Sequence, residues 1–502
     1  MARLPSEAAR LTPEAAQARL EALGYADPAG ALRHLEALTS GVSRRAAIQR
    51  TLLPVMLGWF ADAASPDAGL LGFHQVSDAL GNSPWYLRLL RDDTTVARRM
   101  AQVLAASRYA TDLLLRQPEM VAILGEDAQL APARPPPCGP RPSRPCGRHA
   151  SPPDAVAAVR ALRRRELLRT ATADLLGLST VEETGEALTA VTGAAVSAAL
   201  QVAVRTAEAG QGRCPPGCAW WRWARFGGHE TGYGSDADVM FVHDPVPGAD
   251  EQEASRAAHA VAEDLRALLA RQSARPAAAD RPRAAARGQA GPAGAHPGLL
   301  PRVLRALVGP LGGPGAAAGR AGRPSDRPLG ARFTALADEF RYPAGGIGGD
   351  FAREIRRIKA RMEAERMPRG VDPALHLKLG PGGLSDVEWV VQLLQLRHAH
   401  AVPELRTTRT LAGLAAAAGA GLVRGGRRGR AGRRLAAGGP GQGRGGPGPG
   451  PPVRYAAHPP SRSGRGGLGL GYPPEAYRDL EQDYRRAARR ARAVMERLFY
   501  GW

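Results

Sequence analysis

The residues with the clearest capacity for chemistry lie between positions 227 and 238. Two adjacent glycines, Gly227 and Gly228, are followed by Ser235 and by two aspartates, Asp236 and Asp238. Mg²⁺ prefers carboxylates together with phosphate oxygens, and glycines let backbone N–H groups approach a phosphate closely. Such an assembly suits nucleotidyl transfer, in which metals activate the attacking oxygen and neutralise the leaving pyrophosphate. The alternative interpretation is a polar Gly-Ser-Asp turn that enters a strand.

The residues after the aspartates predict the strand that would position them. Residues 239–242 are apolar and β-prone, and alternation along a strand would place Asp236 and Asp238 on the same face. Two like charges side by side need a neutralising partner, which a divalent cation supplies. His229 is predicted to be a helix-surface residue, and neither it nor Glu230 is assigned chemistry.

Helices are predicted on both sides of this motif, because apolar residues recur three and four positions apart. In the first part of the chain they are predicted at residues 13–23, 28–38, 43–60 and 94–117. Nearer the motif, Asp154 is predicted to cap a helix that ends at Leu176. Ser179 and Glu182 have the spacing of a capping box that opens another helix to about residue 207.

The region after the motif is also predicted to be helical. A helix over residues 351–367 would bury the stripe formed by Phe351, Ile355, Ile358 and Met362. Further helices are predicted from Ser385, which has capping-box spacing with Glu388, and over residues 474–499. The segment at residues 84–90, with its large apolar side chains, is predicted to hold helices together.

The charge of the chain is concentrated in unusual tracts. The 502 residues contain 68 Lys and Arg against 47 Asp and Glu, a net charge of +21. Residues 131–150, 271–325 and 424–467 contain four, nine and ten Arg and a single Asp, so the remainder is close to neutral. This pattern excludes a basic nucleic-acid-binding surface spread over the folded part.

The same tracts are rich in Pro and Gly, which cannot pack a core. Their sharp edges predict stretches translated out of frame in a GC-rich gene, and we predict the same for residues 210–224. The alternative is a set of genuine linkers. With four Cys, no signal peptide and a most apolar stretch, residues 52–60, about half as long as a bilayer requires, the chain is predicted to be cytoplasmic, with no membrane span.

Several segments resemble one known family, the glutamine synthetase adenylyltransferases, which are bifunctional adenylyl-transferring and adenylyl-removing enzymes. Residues 225–245, RFGGHETGYGSDADVMFVHDP, resemble its nucleotidyltransferase motif, which belongs to the DNA polymerase beta-like superfamily. Residues 163–169 (RRRELLR) resemble the helix before that motif. Residues 378–389 (KLGPGGLSDVEW) and 489–501 (RRARAVMERLFYG) resemble the helical domain after it.

The resemblance implies an α+β fold, mostly helical, in which a polymerase beta-like mixed sheet lies between a helical lead and a helical C-terminal domain. The domains it implies are a helical lead at 1–130, an irregular Pro/Arg tract at 131–153, a nucleotidyltransferase domain at 154–345 and a helical domain at 346–502. The tracts at 271–325 and 424–467 are anomalous within these domains.

The resemblance further implies a carboxy-terminal half that transfers AMP from ATP to a tyrosine of glutamine synthetase. Asp236 and Asp238 would hold Mg²⁺, while Gly227, Gly228 and Ser235 would cradle the triphosphate. Glutamine synthetase, and the PII signal protein with it, would be the partners, with no role for nucleic acid or a membrane.

Departures from the family pattern leave alternatives open. The pattern implies an apolar strand before Arg225, which residues 214–223 are not expected to supply, and Pro381 stands where the family usually has Arg. The third metal-binding carboxylate would fall in the tract at 271–325, so the activity of this chain is expected to be weak. The alternatives are the adenylyl-removing half, which would use phosphate to release ADP, and a non-catalytic module that binds glutamine synthetase or PII.

Overall fold

The computed structural model describes residues 12–81, 83–131, 151–211, 217–222, 224–235, 237–245, 248–270, 327–368, 370–423 and 477–501. These residues are mostly helical, as predicted. The helices of the first part are α1 (Pro13–Ala22), α2 (Pro28–Thr39), α3 (Arg44–Ala61), α4 (Pro66–Ala79), α5 (Pro84–Asp92), α6 (Thr94–Ala106), α7 (Arg108–Arg116) and α8 (Asp127–Leu130), with a 3₁₀ helix at Pro118–Gly125.

The first three predicted helices are confirmed to within two residues at each end. Ser43, for example, caps α3 by accepting a hydrogen bond from the N–H of Ala46 at 3.1 Å. The single helix predicted over 94–117 is wrong, because the chain breaks at Ser107. The Ser107 hydroxyl accepts from the N–H of Ala110 at 3.2 Å and so starts a new helix.

The first hydrophobic core lies among α3, α4 and α6. Phe60, Phe73 and Met100 are fully buried there. The segment predicted to hold helices together forms α5, and its Tyr86 is fully buried with its hydroxyl 3.0 Å from that of Ser77. Burial of large side chains at helical spacing therefore accounts for this part of the fold.

The next two helices are α9 (Pro152–Leu175) and α10 (Val181–Gln211). Helix α9 begins earlier than predicted, and α10 begins later. Ser151, not Asp154, caps α9, because its hydroxyl accepts from the N–H of Asp154 at 3.3 Å. The capping box of α10 is formed by Thr180 and Glu183, one position after the predicted pair. The N–H of Thr180 donates to Glu183 at 2.9 Å, and the N–H of Glu183 donates to the Thr180 hydroxyl at 3.2 Å.

Helix α10 contains an apolar stretch that the sequence analysis did not single out. Within the described residues, Val181–Ala209 is long and apolar enough to cross a membrane by length and composition, and 67% of its most apolar window is buried. It packs against α9 and α12 (Glu251–Ala270), and the second core, which includes Phe226, lies between them. A core helix of a folded protein has these properties.

Two strands flank the predicted motif. β1 (Gly217–Arg222) pairs antiparallel with β2 (Val239–Asp244), so that Gly217 lies opposite Asp244. The expectation that residues 214–223 would not supply a strand is therefore wrong. This segment contains aromatic residues, a type that is enriched in strands. The mixed sheet stays a prediction, since the described strands form this antiparallel pair.

The last part of the chain is helical, as predicted. Its helices are α13 (Arg327–Arg341), α14 (Gly349–Arg366), α15 (Leu384–His398), α16 (Thr410–Gly419) and α17 (Tyr477–Met495), with 3₁₀ turns at Pro373–Leu375 and Pro403–Leu405 and a π-helical turn at Glu496–Tyr500. The capping box predicted at Ser385 is wrong, because Gly383 is the N-cap of α15 and no side chain caps it.

A group of charged side chains, here called the C-terminal ion cluster, connects α17 to α14 and α15 through ion pairs. It consists of Lys359, Glu363, Asp386, Arg492 and Glu496. The Lys359 ammonium, 1% exposed, lies 2.6 Å from both Asp386 and Glu363. Arg492 donates to Asp386 at 3.1 Å, to Glu363 at 3.0 Å and to Glu496 at 2.8 Å. Because Asp386 is nearly fully buried, its charge depends on these partners.

Gly382 allows α17 to pack directly on the turn before α15. Its φ is +77°, and its N–H donates to Asp386 at 2.7 Å. A Cβ at this position would lie 1.9 Å from the carbonyl oxygen of Ala488 in α17, which is closer than any real contact. Glycine is therefore required here both by the backbone conformation and by the neighbouring helix.

We expect Gly382→Ala to lower the free energy of unfolding by about 3 kcal/mol, because it adds overpacking to the cost of a left-handed backbone. Urea unfolding of the full chain measures this change. Gly370→Ala is the matched control, since Gly370 has a φ of +79° with nothing within 4 Å of its Cβ position. Equal losses in the two variants would contradict the packing argument.

The predicted domain boundaries stay predictions. The first core includes Leu167 and Leu188 of α9 and α10, so its packing continues beyond residue 130. A third core lies among α14, α15 and the chain terminus, where Ile355, Leu394 and Phe499 are buried. The tracts at 132–150, 271–326 and 424–476 lie outside the described residues.

Candidate functional site

The predicted motif lies in the connection between α11 (Ala224–Gly227) and β2, here called the site loop (residues 225–238). Gly227 and Gly228 are buried where α11 ends, and Asp238 is exposed directly before β2. Asp236 lies outside the described residues. The prediction that the strand itself carries Asp238 is wrong by one residue, because β2 begins at Val239.

A closed turn precedes the two aspartates. The N–H of Gly232 donates to the Ser235 hydroxyl at 2.9 Å, and the N–H of Ser235 donates to the carbonyl of Gly232 at 3.1 Å. The hydroxyl of Ser235 can accept this bond and still donate its own hydrogen. The position of the Ser235 hydroxyl is therefore fixed by the backbone of the turn.

Tyr233, at the tip of this turn, contacts two helices of the first part of the chain. Its hydroxyl donates to Asp174 of α9 at 3.0 Å, and its ring lies edge-on to Tyr109 of α7 with centroids 5.7 Å apart. Asp174 is 1% exposed, so this hydrogen bond gives a buried carboxylate a donor in place of water. The turn is thus attached to the first hydrophobic core.

We expect Tyr233→Phe to lower the free energy of unfolding by about 2 kcal/mol, because a buried carboxylate loses a donor. Tyr484→Phe is the control, since no hydrogen bond to the Tyr484 hydroxyl is found in the described part of the chain. Thermal and urea unfolding of the two variants measure the difference. A loss in Tyr484→Phe as large as that in Tyr233→Phe would contradict the assignment.

Two further contacts hold the loop before the turn. The hydroxyl of Thr231 lies 2.9 Å from that of Thr189 in α10, and both side chains are buried. Arg225 donates to Glu388 of α15 at 3.0 Å. The loop is therefore fixed to helices that precede it and to helices that follow it.

Glu230 makes the contact that sequence reasoning missed. Its two carboxylate oxygens accept from the N–H and the hydroxyl of Thr410, at 2.6 and 2.7 Å, at the start of α16. The two residues are 180 positions apart, so no local spacing could reveal the pair. Its neighbour His229 has a φ of +60° in the turn after α11 and is not the helix-surface residue that was predicted.

The environment of Glu230 shifts its titration. Burial raises the pKa of its carboxyl above the ordinary value, and the nearby charge of Glu388 raises it further. The hydrogen bonds from Thr410 and the charge of Arg225 act in the opposite direction without cancelling the effect of burial. The net direction is upward, as expected for a carboxylate removed from water.

The described part of the site loop offers one exposed carboxylate of the kind that binds a hard cation. Asp238 offers an exposed carboxylate, and oxygen ligands are those that Mg²⁺ prefers. Within the described ranges, no group of three or more His, Cys, Asp or Glu side chains could hold a metal ion. A site at Asp238 therefore depends on Asp236, on ligand oxygens and on water.

Two family models match the chain. The model of glutamate-ammonia ligase adenylyltransferase matches residues 97–280, which include the whole site loop. The model of GlnD PII-uridylyltransferase matches residues 351–433, which include α14, α15 and α16. The two matched ranges are joined by the contacts of Arg225 and Glu230 described above.

Curated proteins of high similarity share one name, bifunctional glutamine synthetase adenylyltransferase/adenylyl-removing enzyme. The protein of Streptomyces avermitilis is 47% identical over 100% of this chain and 52% of its own length. Those of Streptomyces coelicolor and Leifsonia xyli are 48% and 45% identical over 100% of this chain and 51% and 50% of their own lengths. The chain thus spans about half the length of these relatives.

Proposed function

Because the chain belongs to the glutamate-ammonia ligase adenylyltransferase family, we propose that it is an adenylyltransferase half that transfers AMP from ATP to a tyrosine of glutamine synthetase. The observation that carries the proposal is the site loop, which contains the two glycines, the serine turn and Asp238, and whose Tyr233 and Glu230 form hydrogen bonds with helices that precede and follow it. The family match includes this loop.

Five residues of the loop have a role in the proposed reaction. The backbone at Gly227 and Gly228 and the hydroxyl of Ser235 would bind the triphosphate, and Asp236 and Asp238 would hold Mg²⁺. Magnesium, when bound, would neutralise phosphate charge. The tyrosine oxygen forms a bond to the α-phosphorus while the bond from that phosphorus to the bridging oxygen breaks, so pyrophosphate leaves and the hydroxyl proton is released.

The proposal extends to the surroundings of the site. Asp236 and Asp238 would lie at the start of a central strand of a polymerase beta-like mixed sheet, in the nucleotidyltransferase domain at 154–345. The chain would correspond to the carboxy-terminal half of the family protein, act in the cytoplasm and regulate nitrogen assimilation. Glutamine synthetase would be its substrate, and the PII signal protein a further partner.

Two other functions are supported by particular observations. The relatives are named for both adenylyl transfer and adenylyl removal, and the chain spans about half of them, so it could be the removing half. A non-catalytic module that binds glutamine synthetase or PII is favoured by the sequence of the tract at 271–325, which has Asp280 as its single acidic residue where the family pattern places the third metal-binding carboxylate.

The assay that separates these functions follows the adenylyl group. We expect the full chain to transfer label from α-labelled ATP to unmodified glutamine synthetase in the presence of magnesium. Phosphate-dependent release of ADP from adenylylated glutamine synthetase would instead identify the removing half. Binding of glutamine synthetase without either reaction, both for this chain and for a version with its tracts translated in frame, would contradict an enzymatic function.

A further inference from the structure

Three polar contacts meet at the start of the site loop and form what we call the loop junction. Each joins the loop or the N-terminus of α16 to a neighbouring element. They are Glu230 with Thr410, Thr231 with Thr189, and Arg409 with Glu186. Glu186 and Thr189 are three residues apart on α10, so they lie on the same face of that helix. Thr231 of the loop and Arg409 at the N-terminus of α16 thus contact the same face of α10.

The contact between Glu230 and Thr410 is the central one. The N–H of Thr410 belongs to the first turn of α16, where backbone donors have no partner within the helix. Residue 409, which precedes the helix, is an arginine and makes no side-chain cap. Glu230 therefore supplies, from a distant part of the chain, an acceptor for the first backbone N–H of α16.

The position of Glu230 connects this contact to the turn that precedes the aspartates. Thr231 is buried against Thr189, and the turn between Gly232 and Ser235 follows at once. A rotation of the backbone at residue 230 would break the buried contact of Thr231 and displace the turn. The geometry of the turn is thereby tied to the docking of α16.

We propose that Glu230 is a positioning residue, which through its two hydrogen bonds to Thr410 holds the turn at Gly232–Ser235 in the geometry that binds the nucleotide. The link to the nucleotide rests on the proposed function, whereas the link to the turn does not. The consequence is that the site loop has its binding geometry only when the helical part that follows it is docked.

The experiment compares Glu230→Gln and Thr410→Val with Thr410→Ser in the full chain. Thr410→Ser keeps the hydroxyl and the N–H. Glu230→Gln removes the negative charge of the acceptor, and Thr410→Val removes the hydroxyl donor. Two properties are measured. The first is hydrogen exchange of peptides that cover residues 225–238, and the second is the affinity for ATP by calorimetry, with and without magnesium.

We expect Glu230→Gln and Thr410→Val to raise the exchange rate of the loop about tenfold and to weaken ATP binding about tenfold, and Thr410→Ser to behave as the parent chain. Two controls separate positioning from general instability. Tyr86→Phe removes a buried hydrogen bond in the first core, and Glu263→Gln changes an exposed pair with Arg266. Both should leave the exchange of the loop unchanged.

The outcomes distinguish this inference from the proposed function. If the parent chain does not bind ATP, the proposed function fails, and hydrogen exchange alone decides whether Glu230 positions the turn. If the loop of Glu230→Gln and of Thr410→Val exchanges as slowly as that of the parent chain, the inference is overturned. It is also overturned if Tyr86→Phe accelerates exchange of the loop to the same extent.

Discussion

Replacing Lys359 with Met is expected to lower the free energy of unfolding by about 4 kcal/mol. The Lys359 ammonium is 1% exposed and neutralises Asp386, which is 3% exposed, and Glu363. Removal of Lys359 leaves Arg492 to compensate both Asp386 and Glu363, so part of their charge is uncompensated in the interior, which is far more costly than the loss of an exposed pair. Urea unfolding of the full chain, followed by circular dichroism, measures the change.

Two variants test whether the uncompensated charge is the cause. Arg357→Met breaks the exposed pair with Glu354 on the same helix and is expected to cost less than about 1 kcal/mol. Lys359→Met combined with Asp386→Asn removes both charges, while the Asn can still accept from the N–H of Gly382. We expect this double variant to recover part of the loss. A double variant less stable than Lys359→Met alone would contradict the explanation.

The C-terminal ion cluster also bears on the candidate site. Asp386 and Glu388 are both on α15, and Glu388 accepts from Arg225 of the site loop. Loss of the ion cluster would therefore loosen both α17 and the helix that holds the beginning of the loop. The fold of the last part of the chain and the geometry of the site depend on the same helix.

Helices were predictable because their apolar periodicity is a local property of the sequence. Their starting points were less so, because several adjacent residues can cap a helix and tertiary contacts select one. At the start of α10 the capping residue is Thr180, while the buried Ser179 hydroxyl lies 3.0 Å from that of Thr184. Glu388, read as half of a capping box, instead pairs with Arg225.

Packing against other helices also shifted the buried face of α14. The stripe that begins at Phe351 was predicted to be buried, yet Phe351 is 40% exposed, whereas Ile355, Ile358 and Lys359 are buried. A lysine is not counted as apolar in a periodicity argument, although one that is paired with two carboxylates can occupy the core. The buried face therefore includes a position that the pattern could not include.

The motif of the candidate site could be predicted from the sequence, but the residues of other helices that contact the site loop could not. The glycines, Ser235 and the aspartates are close in the sequence, so their spacing could be read directly. The partners of the loop are Asp174, Thr189, Glu388 and Thr410, which come from four different helices. Long-range hydrogen bonds of this kind follow from the packing of the helices, which a single sequence does not specify.

The largest effect on activity is expected from Asp236→Asn combined with Asp238→Asn. The change removes the two charges proposed to hold magnesium, and the loss of several kcal/mol of transition-state stabilisation corresponds to about a thousandfold lower AMP transfer. It should also abolish the magnesium dependence of ATP binding, a readout that does not require turnover. Single substitution at Asp238, the exposed carboxylate of the described loop, should give a smaller loss.

The result depends on the chain into which the Asn substitutions are introduced, because the third carboxylate of the family pattern would fall in the tract at 271–325. We expect the chain as it stands to transfer AMP weakly, and a version with the tracts at 131–150, 210–224, 271–325 and 424–467 translated in the alternative frame to transfer it well. Robust transfer by the chain as it stands would refute the first expectation. Unchanged transfer after both Asn substitutions in the frame-corrected version would refute the assignment of Asp236 and Asp238.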